Sequence, residues 1–174
     1  MLTRLGLGLL GGAAGLLTME AERRATAPLI AQKDSRPAEA FPTEATMSPI
    51  GPQHRPGEGA TEALGRIAYE QASGREPSDR TRRALSWAVH IAYGLLVAAG
   101  YGALRAGHRR RALRDGLIFG AGLWILGDEL AVPLLGLTDK PTVYPAAHHV
   151  QSLAQHLGFG IATAATTRAL EGRR

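Results

Sequence analysis

Cysteine is absent from these 174 residues, which excludes a disulfide framework, a thiolate metal site and a cysteine nucleophile. Aromatic residues are scarce, at 5%, so any core is built from Ala, Gly and Leu and implies close approach of backbones. The pairs Gly6/Gly8 and Gly100/Gly102 lack the strand, third glycine and acidic partner of a nucleotide fold and read as packing glycines. Ser86 and His90 share one helical face, but nothing supplies an oxyanion hole, a third orienting group or a strained nucleophile turn. No enzymatic activity is expected.

What is present is a set of long apolar runs. Residues 84–104 carry no formal charge and as a helix reach about 30 Å, the thickness of bilayer hydrocarbon. Residues 113–137 form another run, interrupted by Asp128 and Glu129, with Pro133 bending the last turn. Residues 146–167 begin after Pro145 and end before Arg168. In residues 1–30 the apolar part, Leu5 to Met19, covers about 22 Å before Glu20, Glu22, Arg23 and Arg24. A cleaved signal peptide ending near Ala25-Thr26-Ala27 competes here with a retained first span, which is the expectation.

Between the first and second runs, residues 31–83 form a Pro-rich extracytoplasmic loop. Pro37, Pro42, Pro49, Pro52 and Pro56 with no apolar periodicity predict disorder over 31–59. Ala60, Leu64, Ile67 and Ala68 form one stripe, so residues 60–73 read as a short amphipathic helix, lying on the membrane surface or on the end of the bundle.

The net charge is +5, from 20 Lys and Arg against 15 Asp and Glu. The densest basic cluster, Arg105, Arg109, Arg110, Arg111 and Arg114, lies between two apolar runs without interleaved aromatics. That pattern disfavours nucleic acid as partner and fits a cytoplasmic loop; with Arg168, Arg173 and Arg174 it puts both termini in the cytoplasm. Arg80, Arg82 and Arg83 then fall outside, against the rule.

Ser86, Ala88, His90 and Gly94 recur as Ser152, Ala154, His156 and Gly160. Gly8, Gly12 and Glu20 recur as Gly116, Gly120 and Asp128 at the same spacing. An acid-bearing run followed by a His-bearing run thus occurs twice, which reads as tandem duplication of a two-helix hairpin. The expected fold is all-α, a polytopic membrane four-helix bundle.

The paired His-x-x-aromatic-Gly elements, the Gly-x3-Gly span bearing Trp124, and the Pro-Leu-Leu-Gly exit at Pro133 to Gly136 resemble the YagU-like bacterial inner-membrane proteins, a family without an established activity. The resemblance is loose over residues 1–30 and fuller over 84–167. It implies a polytopic protein of the bacterial inner membrane and carries no catalytic residue.

Counted by helix rise, Glu20, His90, Asp128, Glu129 and His156 share a level roughly 18 to 24 Å from the cytoplasmic face, where ionisable groups must face a partner or water. They are the candidate site for a proton, ion or small ligand. Ser86 and Tyr93, and His149 and Ser152, extend it along inward-facing helical stripes. Three readings stay open: polar groups that only fix helix register, a proton or metal site, and haem held by His90 and His156. The bilayer is the expected partner, and a homo-oligomer or another membrane subunit stays open.

Overall fold

The computed structural model describes residues 3–31, 45–105 and 112–172. Arg109 to Arg111, Arg173 and Arg174 lie outside these, as does the part of the expected disorder that falls on 32–44. The described residues are helical with connecting loops and no strand: α1 (Arg4–Ala31), α2 (Ala60–Ser73), α3 (Asp79–Leu104), α4 (Ala112–Leu134) and α5 (Ala146–Glu171). Within α4 the chain is α-helical to Leu123 and π-helical over Trp124–Ala131, then closes with one α turn.

Two of these helices, α3 and α4, are long and apolar enough to cross a membrane. α1 and α5 are longer than a span requires, at 28 and 26 residues, but each carries more polar residues. The charges Glu20 to Arg24 do not end α1, which continues to Ala31. α3 starts five residues before the expected 84, because Ser78 caps it: its hydroxyl accepts from the Thr81 N–H at 3.3 Å.

The chain divides into two units. The first comprises Met1–Ser35, Tyr93–Ile125 and Ala146–Arg174. Small residues set its packing. Gly8 and Gly12 on α1 face Gly94, Ala98 and Ala99 on α3, while Gly11 and Gly15 face Thr163, Thr167 and Phe159 on α5. Gly116 and Gly120 on α4 face Gly160, Ile161 and the His156 backbone on α5. At these glycines backbones approach closely, around a small apolar cluster of Met19, Ala98 and Phe159 with Leu16, Val97, Phe119 and Leu123 packed on it. The buried residues of α3 are Gly94, Ala98 and Gly102, and those of α5 are Phe159, Gly160, Thr163, Ala164 and Thr167; His90 and His156, one turn before Gly94 and Gly160, are half-buried.

The second unit comprises Arg36–Ala92 and Leu126–Pro145. Here the structure corrects the expectation of disorder over 45–59. These residues form a strap bonded along the exit of α4: the Lys140 N–H donates to the Ala45 carbonyl at 2.8 Å, and the Gln53 and His54 N–H groups both donate to the Gly136 carbonyl, at 2.8 and 3.1 Å. Gly136 makes this possible. It sits at φ 72 in a glycine-ended helix turn, with Leu137 N–H on Val132 O and Gly136 N–H on Pro133 O, and a Cβ there would strike the Gly51 carbonyl. α2 occupies the expected range and packs on the start of α3 through Gly65 against Leu85, with Thr61 and Ser86 hydroxyls 2.8 Å apart. Its burial differs from the sequence reading: Leu64 and Ala68 are exposed, while Ala63, Gly65 and Arg66 are buried.

Candidate functional site

The repeated histidines each have a neighbour on their own helix. His156 Nδ1 lies 2.9 Å from the Ser152 carbonyl one turn back and so donates to it. His90 meets Trp87 edge to face, ring centroids 6.2 Å apart, and His149 meets His148 in the same way at 6.3 Å. Glu20 takes Arg23 at 2.8 Å and Arg24 at 2.6 Å, both from α1. Ser86 bonds Thr61, and Tyr93 is half-exposed. Glu20, His149, Ser152 and His156 belong to the first unit; Ser86, His90, Asp128 and Glu129 belong to the second, the last two on the π-helical stretch of α4. Among the described residues no three His, Asp or Glu side chains come together as ligands for a metal ion.

Other polar groups in the first unit are more deeply placed. The α1 acid that meets α5 is Glu22, not Glu20: a Cβ at Gly158 would stand 2.6 Å from its carboxyl carbon, and its Oε2 is buried with no hydrogen-bond partner. At the end of α3, Arg105 has a side chain only 5% exposed, 3.7 Å from Glu171, with its guanidinium carbon 5.9 Å from the Tyr101 ring centre. Both terminal nitrogens of Arg105, the Tyr101 hydroxyl and Asp115 Oδ2 are buried without a hydrogen-bond partner. Arg105, Asp115 and Glu171 all act electrostatically on the Tyr101 phenol, so the four groups form one cluster. Thr163 Oγ1 and Trp124 Nε1 are buried and unpartnered as well.

Comparison with protein-family models, curated proteins and solved structures finds no match to this chain. Residues and geometry therefore carry the functional reading.

The second unit has a satisfied network in contrast. Arg66 Nε and Nη2 grip both oxygens of Glu58, at 2.8 and 2.9 Å, Nη2 also donates to the Gln53 carbonyl at 2.7 Å, and Nη1 reaches Glu70 at 3.1 Å. Arg55 adds contacts to Glu70 and Glu76 and its N–H to Glu58. Burial alone would push the Glu58 carboxyl up, but the Arg66 hydrogen bonds, the Arg55 N–H and both positive charges outweigh it and hold it below the ordinary value. Beside this network, His54 Nδ1 lies 2.9 Å from Gly136 O and Nε2 lies 3.5 Å from Asp139 Oδ1.

Glu22 and Arg105 were within reach of the sequence. Extending the α1 stripe Gly8, Gly12, Gly15, Met19 by three residues arrives at Glu22, and extending Gly94, Ala98, Tyr101 by four arrives at Arg105. His54, Asp139 and the Glu58–Arg66 pair carry no such signal.

Proposed function

We propose that this chain is an integral protein of the bacterial inner membrane, crossed by four helices with both termini in the cytoplasm, and that its role is non-enzymatic: taking up a proton or a small polar ligand among groups buried in the first unit. The membrane assignment rests on α3 and α4, whose most apolar stretches are only 17% and 11% buried by protein. Surface of that kind is stable against lipid and costly against water. α1 and α5 join them in this reading because they turn Thr163 and Thr167 toward each other's small residues instead of outward. Duplication is supported by the glycines, since Gly12 with Gly94 and Gly120 with Gly160 are equivalent pairs and both are in contact. The YagU-like resemblance agrees with all of this and remains part of the proposal.

The Arg105 cluster carries the uptake reading, with Asp115 as its proton acceptor and Arg105 as a fixed donor. A buried guanidinium with a long 3.7 Å ion pair to Glu171 and no hydrogen bond from either terminal nitrogen, beside a phenol and a carboxylate oxygen that also lack hydrogen bonds, is poor helix glue, because each unmet buried group costs about 1–3 kcal/mol. Such groups persist where something else uses them. A second reading, that Glu20 is structural only, is favoured by its pairing with Arg23 and Arg24 of its own helix. His90, Asp128 and Glu129 of the second unit stay in the proposal as a separate candidate for an intramembrane proton or ligand site.

Alkaline carbonate should leave the chain in the membrane pellet; extraction into the supernatant rejects the membrane assignment. In liposomes loaded with a pH-sensitive dye, the chain should carry protons down a gradient, and Asp115→Asn and Glu22→Gln should abolish this without loss of thermal stability. No flux in the native chain, with both variants less stable, favours the register reading.

A further inference from the structure

The strap carries a second protonation-dependent element, independent of the membrane role. His54 comes from the strap and Asp139 from the turn after α4, and their side chains are 6% and 9% exposed. A carbonyl can only accept, so the contact of Nδ1 with Gly136 O at 2.9 Å requires the proton on Nδ1. Nε2 then faces Asp139 Oδ1 at 3.5 Å, and that oxygen has no hydrogen-bond partner. In a neutral imidazole beside an ionised carboxyl, a lone pair would confront a negative charge out of water. The contact becomes attractive only when one further proton sits on the pair.

We propose that His54 and Asp139 form a proton-binding site that latches the strap, residues 45–59, to the exit of α4. With the proton bound, imidazolium faces carboxylate and the strap is held at Gly136. When the proton leaves, repulsion acts at the point where the Gln53 and His54 N–H groups grip the same carbonyl, and the strap loosens as pH rises. Tyr144 faces Asp139, accepting from the Asp139 N–H and bonding Thr138; Lys140 follows Asp139 and is tied by its N–H to Ala45; Arg66 from α2 holds the Gln53 carbonyl; and Arg55 is engaged by Glu70 and Glu76. Burial pushes the Tyr144 phenol up, so it stays neutral around pH 7. A metal cation in the same place would need more ligands, and no third His, Asp or Glu joins the pair among the described residues.

The test is amide hydrogen exchange of the full chain in detergent, read at Gln53 and His54 and corrected for the intrinsic pH dependence. Protection should fall about ten- to a hundredfold between about pH 5 and 8, while the Gly74 amide, bonded to Glu70 O, changes little. His54→Gln and Asp139→Asn, each checked for unchanged helix content, should flatten the profile. A native profile as flat as the variants, or a pH slope that survives in either variant, overturns the proposal. Protection at Gln53 that requires added Zn2+ overturns it in favour of a metal.

Discussion

Replacing Arg66 with Met keeps most of the packing of the stem and removes the guanidinium that joins the strap to α2. Glu58, with a side chain 3% exposed, then loses both of its Arg66 bonds and keeps the Arg55 N–H at 2.9 Å; the Gln53 carbonyl loses its donor at 2.7 Å. Breaking a buried pair on one side costs about 3–5 kcal/mol in general. The carboxyl has an escape, which is to protonate. Starting from the ordinary value of 4.5, neutralisation at pH 7 costs about 3.4 kcal/mol at about 1.36 per pH unit. At pH 5 the same step costs only about 0.7 kcal/mol. The variant should therefore weaken the strap by about 3 kcal/mol at neutral pH and by much less at pH 5. In hydrogen exchange this is a fall of about a hundredfold in protection at Gln53 at pH 7. Adding Glu58→Leu should restore most of it, because an apolar pair of similar volume leaves no buried charge. A loss below about 1 kcal/mol at pH 7, the worth of an exposed ion pair, or an equal loss at pH 5, refutes the reasoning.

The native Glu58 gives its own pH dependence. Its folded value is depressed, so its contribution is complete above the ordinary carboxylate value of 4.5 and is lost as pH falls through the lower folded value; strap protection in a His54→Gln background should stay level down to that range and then drop. Gly120→Ala should destabilise the first unit by about 1–3 kcal/mol through overpacking, since its Cβ would stand 2.8 Å from the His156 carbonyl carbon and 2.9 Å from Leu157 Cα. Gly122→Ala, which meets nothing within 4 Å, should be neutral or stabilise by up to about 1 kcal/mol through helix propensity; thermal unfolding in detergent distinguishes the two. Thr163→Val should be neutral to slightly stabilising in the same assay, because the Thr163 hydroxyl is buried without a partner.

Helices were legible wherever apolar periodicity or a charge-free run marked them: the range of α2, the end of α3 at Leu104 and the start of α5 at Ala146 stand where the sequence put them. The strap was not, because its order comes from backbone bonds to Gly136, which leave no apolar period to read. The internal repeat aligns Glu20 with Asp128, and helix rise puts both at one level. The burial stripe of α1 points instead to Glu22, two residues on, and Glu20 turns to Arg23 and Arg24. Repeats record descent of positions, whereas burial records which face a helix presents; the two need not select the same acid.

The contrast between satisfied and unsatisfied polar groups has one physical origin. A helix spends its backbone N–H and C=O groups on itself except at its ends. In the first unit, glycine packing brings helical backbone against helical backbone, so a polar side chain entering the seam finds few free donors or acceptors. Thr167 bonds Thr163 O on its own helix, and Glu22, Thr163, Tyr101, Arg105 and Asp115 keep unpartnered atoms. In the second unit the strap is irregular and α4 ends at a turn, so carbonyls remain free: Gln53 O receives Arg66, and Gly136 O receives His54 twice, by its N–H and by its ring. The same composition, rich in Gly and Arg, thus yields a network closed on itself where backbone is irregular and open polar groups where it is helical. Among the described residues the open buried groups lie in the first unit except Asp139 Oδ1, which is why the proposed uptake is assigned to the first unit and a latch at Asp139 to the second.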